Sequence, residues 1–262
     1  MPAKLGMRWI AAAAGLFIAF FVHAAAAQAD PNELWKIVHG QCVPNEQQRG
    51  DPKPCAEVDL KAGVAGGFAV LKDIRGATQF LLIPTQQIGG IESRALLASR
   101  AANYFADAWQ GRHLVEKALG HPLPRDTLSL AINSELARSQ NQLHIHIDCL
   151  RADIRDELRR ERSEIGRRWK PLPVLLAGHR YRAMRVSGST LAGHNPFKLL
   201  AWGVPGAHAD MGHHTLVVVG MQYAHHGAGF VILDDRADRA HGDNAGGEEL
   251  QDHACVLGRT KS

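Results

Sequence analysis

Aromatic residues are scarce in this chain: Phe, Trp and Tyr together make up 6 % of its 262 residues. No Lys/Arg-rich stretch is interleaved with them, so the stacking platforms and basic grooves of nucleic-acid binders are missing and no nucleic-acid partner is expected. Charge of one sign is scarce too. Thirty Lys and Arg against 26 Asp and Glu leave a formal net charge of +4, and charged residues total 21 %, an ordinary globular proportion that excludes wholesale disorder. The small surplus, with a pI near 9.0, suits an anionic phosphate or a membrane surface. There are four cysteines and no C-x-x-C spacing among them, which weighs against a structural zinc site. No clear internal repeat is visible.

Hydrophobic residues make up 45 %, enough for one large domain or two small ones. Lys4 and Arg8 precede an apolar run from Trp9 to Ala27, and Ala27-Gln28-Ala29 reads as a small-residue cleavage site. Residues 1–29 are therefore expected to be a signal peptide or an uncleaved membrane anchor, with the remainder exported. In an oxidising compartment Cys42, Cys55, Cys149 and Cys255 are expected to pair. Three pairings are possible. Cys42–Cys55 is favoured because it closes a short segment rich in Pro and polar residues, which leaves Cys149–Cys255 to tie the chain end to an apolar strand. Chain entropy gives about 3 kcal/mol for a short loop and about 4.7 for one near a hundred residues. Zinc ligation is the rival reading.

Apolar periodicity predicts a short helix from Pro31 to His39 and strands at Gly67–Leu71 and Gln79–Pro84, joined as a hairpin. It also predicts a helix over Asn103–Leu119 stopped by Gly120-His121-Pro122, and strands at Leu128–Ile132 and Leu143–Leu150. A charged helix is expected over Ala152–Trp169; seven Arg between Arg151 and Arg168 against five acidic residues read as a solvated face. Tyr181–Val186, Thr215–Gln222 and Gly229–Leu233 are strand-like, the last two a hairpin that either echoes the first or resembles it by chance, the favoured reading. Gly242–Gly247 reads as surface loop.

The informative segment is Gln142-Leu143-His144-Ile145-His146-Ile147-Asp148. Its strict alternation is that of a half-buried strand with 142, 144, 146 and 148 on one face. Same-face neighbours lie roughly 7 Å apart, so both imidazoles can address one phosphoanhydride. With an unperturbed pKa of about 6.5, a neutral imidazole is nucleophilic at pH 7 without a metal, and a second one can protonate or stabilise the leaving oxygen. Alternating histidines are otherwise zinc ligands or plain polar-face residues.

Asp73-Ile74-Arg75-Gly76-Ala77-Thr78-Gln79-Phe80-Leu81-Leu82-Ile83-Pro84, followed downstream by Asn133, Ser139 and the His144/His146 strand, resembles the histidine-triad proteins. Further segments extend the likeness: Cys42-Val43-Pro44-Asn45, Pro54-Cys55-Ala56-Glu57-Val58, Ser129-Leu130-Ala131-Ile132-Asn133-Ser134, Arg168-Trp169, Pro171-Leu172-Pro173, Gly178-His179 and Gln251-Asp252-His253. Together these resemble the CDP-diacylglycerol pyrophosphatase family over roughly residues 34 to 257. The resemblance implies hydrolysis of CDP-diacylglycerol to CMP and phosphatidate at the periplasmic face of a bacterial inner membrane, or in the periplasm if the leader is cut. It implies His144 as the nucleophile that becomes nucleotidylated and His146 beside the leaving group. It also implies Asp73 at the ribose, Asn133 and Ser139 at nucleotide and phosphate, and no cofactor or required metal. Gln142 and Gln79 depart from the triad pattern, standing where the family has supporting histidines. They are expected at the substrate site, meeting across strands to orient His144.

The expected fold is α+β: a histidine-triad-like antiparallel sheet with helices over residues 30–169, then a C-terminal α/β extension over 170–262, of similar form if it replaces a dimer partner. Asp148 is expected to orient His146 or to lie solvated at the rim. His179 and His253 are expected in structural or surface roles. The stretch Phe197, Leu199, Leu200 and Trp202 is expected in the core, with a lipid approach as the second reading. Two rival functions remain: a hydrolase of soluble nucleotide anhydrides, and a metal-binding protein using the tail histidines His208, His213, His214, His225, His226 and His241.

Overall fold

A computed structural model of the chain describes Met1 and residues 30–223 and 227–259. The expected leader, His225 and His226 lie outside the described residues. Among the described residues nine strands form: β1 Glu57–Asp59, β2 Phe68–Lys72, β3 Phe80–Pro84, β4 Leu128–Ile132, β5 Ile145–Cys149, β6 Lys170–Pro171, β7 Arg182–Ser187, β8 His214–Tyr223 and β9 Gly227–Arg236. They make one antiparallel sheet in the order β1-β2-β3-β5-β4-β8-β9-β7-β6. The fold is thus α+β. The C-terminal strands are a correction to the α/β expectation, because they pair antiparallel in the same sheet as the N-terminal ones. On either side of the β4–β8 seam the connectivity is the same: β2-β3-β5-β4 on one, β6-β7-β9-β8 on the other.

The sheet is covered on both faces, which is why β3, β4 and β5 are buried along their whole length. Helices Tyr104–Gly111, His113–Leu119 and Pro196–Gly203 pack one face with Leu82, Leu130, Ile145, Ile147, Val218 and Ile232. Asn103 caps the first of them, its side chain accepting from the Ala106 amide, and Gly120 in the left-handed region ends the second. Phe197 and Leu200 belong to this core. That face is opposite His146, whose register partners are Leu81 and Ala131. Trp202 is a correction to the expected core placement, since its side chain is exposed.

The second face carries two smaller clusters. Helix Ala152–Glu161 buries Ile154 and Leu158 against Val217, Val231 and Leu233. Its charged side is exposed and laced with ion pairs such as Arg159–Asp126. The helix stops eight residues before its predicted end: Ile165 turns inward and the Gly166 carbonyl accepts from the Arg185 amide of β7, so tertiary pairing overrides helical propensity. The N-terminal helix runs longer than predicted, through Glu33–Ile37, a π turn at Val38–Cys42 and Val43–Arg49. Pro44 sits directly after the π turn, where the hydrogen-bond ladder changes from the π to the α pattern.

Both disulfides take the favoured pairing, Cys42–Cys55 and Cys149–Cys255, with Cα separations of 5.6 and 5.2 Å. Cys42–Cys55 clips a helix rather than an irregular loop. Gly242–Gly247 is a second correction. It is not a surface loop, since Asp243, Ala245 and Gly247 are buried and the Ala245 carbonyl accepts from the Ser134 amide. A Cβ on Gly247 would lie 2.4 Å from Thr215 Oγ1, so only glycine lets this segment press against β8. Among the described residues no helix is long and apolar enough to cross a membrane.

Replacing both Cys149 and Cys255 by Ala is expected to lower stability by about 2–5 kcal/mol, read from urea unfolding. An unchanged midpoint would show that hydrogen bonds alone hold the C-terminal segment on β5.

Candidate active site

β5 lies between β3 and β4, and its two-residue period sends Ile145 and Ile147 into the helix-covered core. His144, His146 and Asp148 therefore emerge together on the other face. All are buried, the two histidines at 7 % and 4 % exposure. Their rings meet edge to face with centroids 4.9 Å apart.

The hydrogen bonds assign a tautomer to each ring. His144 Nδ1 lies 2.7 Å from the Gln142 carbonyl oxygen. A carbonyl only accepts, so Nδ1 carries the proton and the Nε2 lone pair is free. His146 Nδ1 lies 2.6 Å from Gln79 Nε2. An amide nitrogen only donates, so here Nε2 carries the proton, and that buried atom has no partner among the described residues. One ring thus offers a lone pair and its neighbour an N–H.

Burial holds His144 below its ordinary pKa. Burial and the adjacent His144 hold His146 far lower, at about 3. Both are neutral at pH 7, so the 3.5 Å approach of His146 Nδ1 to Glu248 Oε1 is not an ion pair. Burial pushes Glu248 upward, but His146, the Gln79 and Asn133 amides and His253 together pull it below the usual glutamate value. Since His146 is neutral, we assign that pull to the amides and His253. Gln79 Nε2 donates to Glu248 Oε1 at 2.9 Å and Asn133 Nδ2 to Oε2 at 3.3 Å.

Glu248 is the residue that sequence reasoning missed. It arrives on a single 3-10 turn, Gly247–Leu250, which no periodicity marks. The nearby signal was Gln251-Asp252-His253. Gln251 Nε2 donates to the Ser129 and His146 carbonyls, and His253 Nδ1 bonds Asp148 Oδ2 at 2.9 Å while its Nε2 stands 3.3 Å from Glu248. His253 is raised above its ordinary value, chiefly by the Asp148 hydrogen bond. Arg138 and Arg75 are further positive groups near the pair, lowering His144 and His146 respectively. Gly76, in the left-handed region, lets the β2–β3 loop reach this segment: a Cβ there would lie 2.8 Å from His253.

The expected site residues fall into three sets. Asn133 and Gln79 join the histidines through Glu248, and Asp73 lies close enough to raise the pKa of both His144 and His253. Gln142 is a correction: its side chain donates to the Pro84 and Gln86 carbonyls and accepts from the Ile88 amide. It does not meet Gln79, and it orients His144 through its main chain. Asp148 is another, holding His253 rather than His146 and accepting from Thr78 Oγ at 2.8 Å. Ser139 is exposed in the β4–β5 loop, with no contact to the histidines among the described residues. Among the described residues the tail histidines do not gather. His208 stacks on Trp202, while His213, His214 and His241 pair separately with Asp210, Asp234 and Asp238.

A sequence model of the family described as CDP-diacylglycerol pyrophosphatase matches residues 29–259. The CDP-diacylglycerol pyrophosphatase of Yersinia pestis is 43 % identical over 229 residues, covering 87 % of this chain and 86 % of the relative.

His253 is expected to titrate above about 6.5, the ordinary value, and Asp148→Asn to bring it down, both read by NMR of the imidazole protons. A pKa raised in the folded state contributes stability that is full below the unfolded value and fades as pH rises through the folded one. The stability difference between the parent and Asp148→Asn should therefore shrink on passing that midpoint upward. His144 and His146, both depressed, act oppositely and withdraw stability as pH falls below about 6.5. A His253 midpoint at or below 6.5 overturns the assignment.

Proposed function

The chain belongs to the CDP-diacylglycerol pyrophosphatase family, and from that premise we propose that it hydrolyses the phosphoanhydride of CDP-diacylglycerol to CMP and phosphatidate through a nucleotidyl-histidine on His144. The observation that carries this reading is the pair of complementary tautomers, a free Nε2 lone pair on His144 beside an Nε2–H on His146. In the first step His144 Nε2 bonds to the cytidylyl phosphorus as the anhydride P–O bond breaks, and phosphatidate leaves. In the second, water attacks that phosphorus and the P–N electron pair returns to His144 Nε2; one water proton passes to the phosphate oxygens or to solvent, and CMP departs with the histidine neutral again.

The leaving group is a phosphate monoester, which needs charge stabilisation more than full protonation. The His146 N–H can supply it as a hydrogen bond, and His253, whose protonated form the Asp148 hydrogen bond favours, as a field. A neutral nucleophile in a buried site also needs no proton removed before attack. Asp73 is assigned to the ribose and Asn133 to the nucleotide phosphate; Ser139 joins them only if the β4–β5 loop closes on substrate. On this reading the half-sheet β2-β3-β5-β4 is a histidine-triad unit. The half β6-β7-β9-β8 is a second copy filling the place of a dimer partner, with no histidine on β9.

A lipid substrate calls for a site at the bilayer, and the N-terminal segment supports that placement. The Pro31 carbonyl accepts from the Asn141 amide at 2.6 Å, and Gln140 Nε2 donates to the Asp30 carbonyl at 2.9 Å. Residues 30 and 31, which follow the apolar leader directly, are thus tied to the loop that ends at His144. An uncleaved leader would hold the site at the periplasmic face of the inner membrane, whereas a cleaved one would leave it in the periplasm. The rival substrate is a soluble nucleotide anhydride, which uses the same residues without a lipid.

The purified full-length protein is expected to release CMP and phosphatidate from CDP-diacylglycerol in detergent micelles with EDTA present. His144→Ala should lower kcat/KM at least about 10⁴-fold and His146→Ala about 10²–10³-fold. Label from the cytidylyl phosphate should be trapped on the His146→Ala protein and not on His144→Ala. Cleavage of soluble anhydrides without release from the lipid would retain the chemistry and overturn the substrate. Full activity in His144→Ala would overturn the nucleophile.

A further inference from the structure

The turn that brings Glu248 to the histidines sets Glu249 against His179 and Tyr181, which with Asp235 and Asp243 line an open cleft of about 980 Å³. One donor atom each from His179, Asp235 and Glu249 lie within 4.8 Å of one another. His179 Nδ1 is 2.9 Å from Glu249 Oε1 and 3.6 Å from Asp243 Oδ1, and Tyr181 donates to the same Glu249 oxygen at 2.8 Å. Asp235 is 4 % exposed. Its Oδ1 accepts from the Arg236 amide, but no donor among the described residues reaches its buried Oδ2.

Three acidic side chains face one imidazole, and among the described residues no Lys or Arg forms an ion pair with any of them. Arg180, Arg182, Arg236 and Arg239 line the cleft, and of these Arg182 and Arg236 are paired with Asp234 and Asp210 instead. A buried carboxylate oxygen without a donor is costly unless something positive meets it.

We propose that His179, Asp235, Asp243 and Glu249 bind a first-row divalent transition-metal ion such as Zn²⁺ or Co²⁺, at a site separate from the histidine pair. Imidazole nitrogen mixed with carboxylates selects this class over Mg²⁺ or Ca²⁺, which prefer oxygen alone. Ligands of one such ion sit about 3–4 Å apart at the usual bond lengths of about 2.0–2.2 Å, so the observed cluster needs only a small closure. Tyr181, bonded to Glu249, is the outer partner that orients a ligand. Asp235 stands four strands from His144, counting β5, β4, β8 and β9, roughly 14 Å away by strand spacing. The cation is therefore no part of the phosphoanhydride chemistry. It neutralises the acidic cluster and fixes the turn from which Glu248 projects.

The test uses full-length untagged protein stripped with EDTA and titrated with Co²⁺, followed by visible absorption and then displacement with Zn²⁺. One saturable equivalent is expected. Asp235→Asn and His179→Gln should each weaken it at least about tenfold, while Asp148→Asn in the catalytic site leaves it unchanged. The cation should also raise the thermal midpoint of the parent but not of Asp235→Asn. Should Asp235→Asn fail to fold, His179→Gln, on a half-exposed turn, decides alone. Binding that both cleft variants leave intact would place the ion on surface histidines, and the absence of saturable binding would leave the cluster as a proton-sharing carboxylate pair. Either result overturns the proposal.

Discussion

Everything in the candidate site depends on the pairing of β5 between β3 and β4. With a neighbour on each side its register is locked, and its two-residue side-chain period is then a rigid ruler. Ile145 and Ile147 are held by the core beneath, so His144 and His146 stand at fixed positions above it. A slip of one residue would bury both imidazoles among the helices and turn the isoleucines toward the substrate. The large apolar cluster on the helix side makes such a slip prohibitive.

Burial then sets the chemistry of what the register has placed. It strips both histidines of charge, and single hydrogen bonds to Gln142 and Gln79 choose opposite tautomers for them. The charge missing from the pair lies one layer away, on Glu248 and on the His253–Asp148 pair. A buried ionised network of this kind must be fully bonded to be tolerated. The segment that carries it is accordingly fastened by Gln251, by the Cys149–Cys255 disulfide and by the close fit of Gly76 and Gly247. The same turn sets Glu249 against His179 and Tyr181, beside a cleft where a buried Asp235 oxygen has no donor among the described residues.

Much of this is legible in the amino-acid sequence. Alternation from Gln142 to Asp148 defines the histidine face, and the β2–β3 hairpin, the helix after Asn103 and both disulfide pairings follow from pattern and spacing. These are local signals: a period, a cap, a turn residue. The misses are all non-local. Helix 152–161 ends early because Gly166 finds a partner on β7, and the Gly242–Gly247 segment is buried because it fits against Thr215. Gln142 and Asp148 sit on the expected face but bond to the 84–88 loop and to His253, which lie 54 and 105 residues away in sequence at the bonds concerned.

The sequence by itself determined which side chains share a face of β5, because that depends only on the alternation of one strand. It also determined the family, through short segments that carry a recognisable order. Only the tertiary structure decided what each of those side chains touches. Glu248 reaches the site across a separation of 169 residues from Gln79 and 115 from Asn133, and no periodicity encodes a contact of that range. The protonation states follow from the same fact, since desolvation and neighbouring charge exist only once the distant segments have closed over the strand.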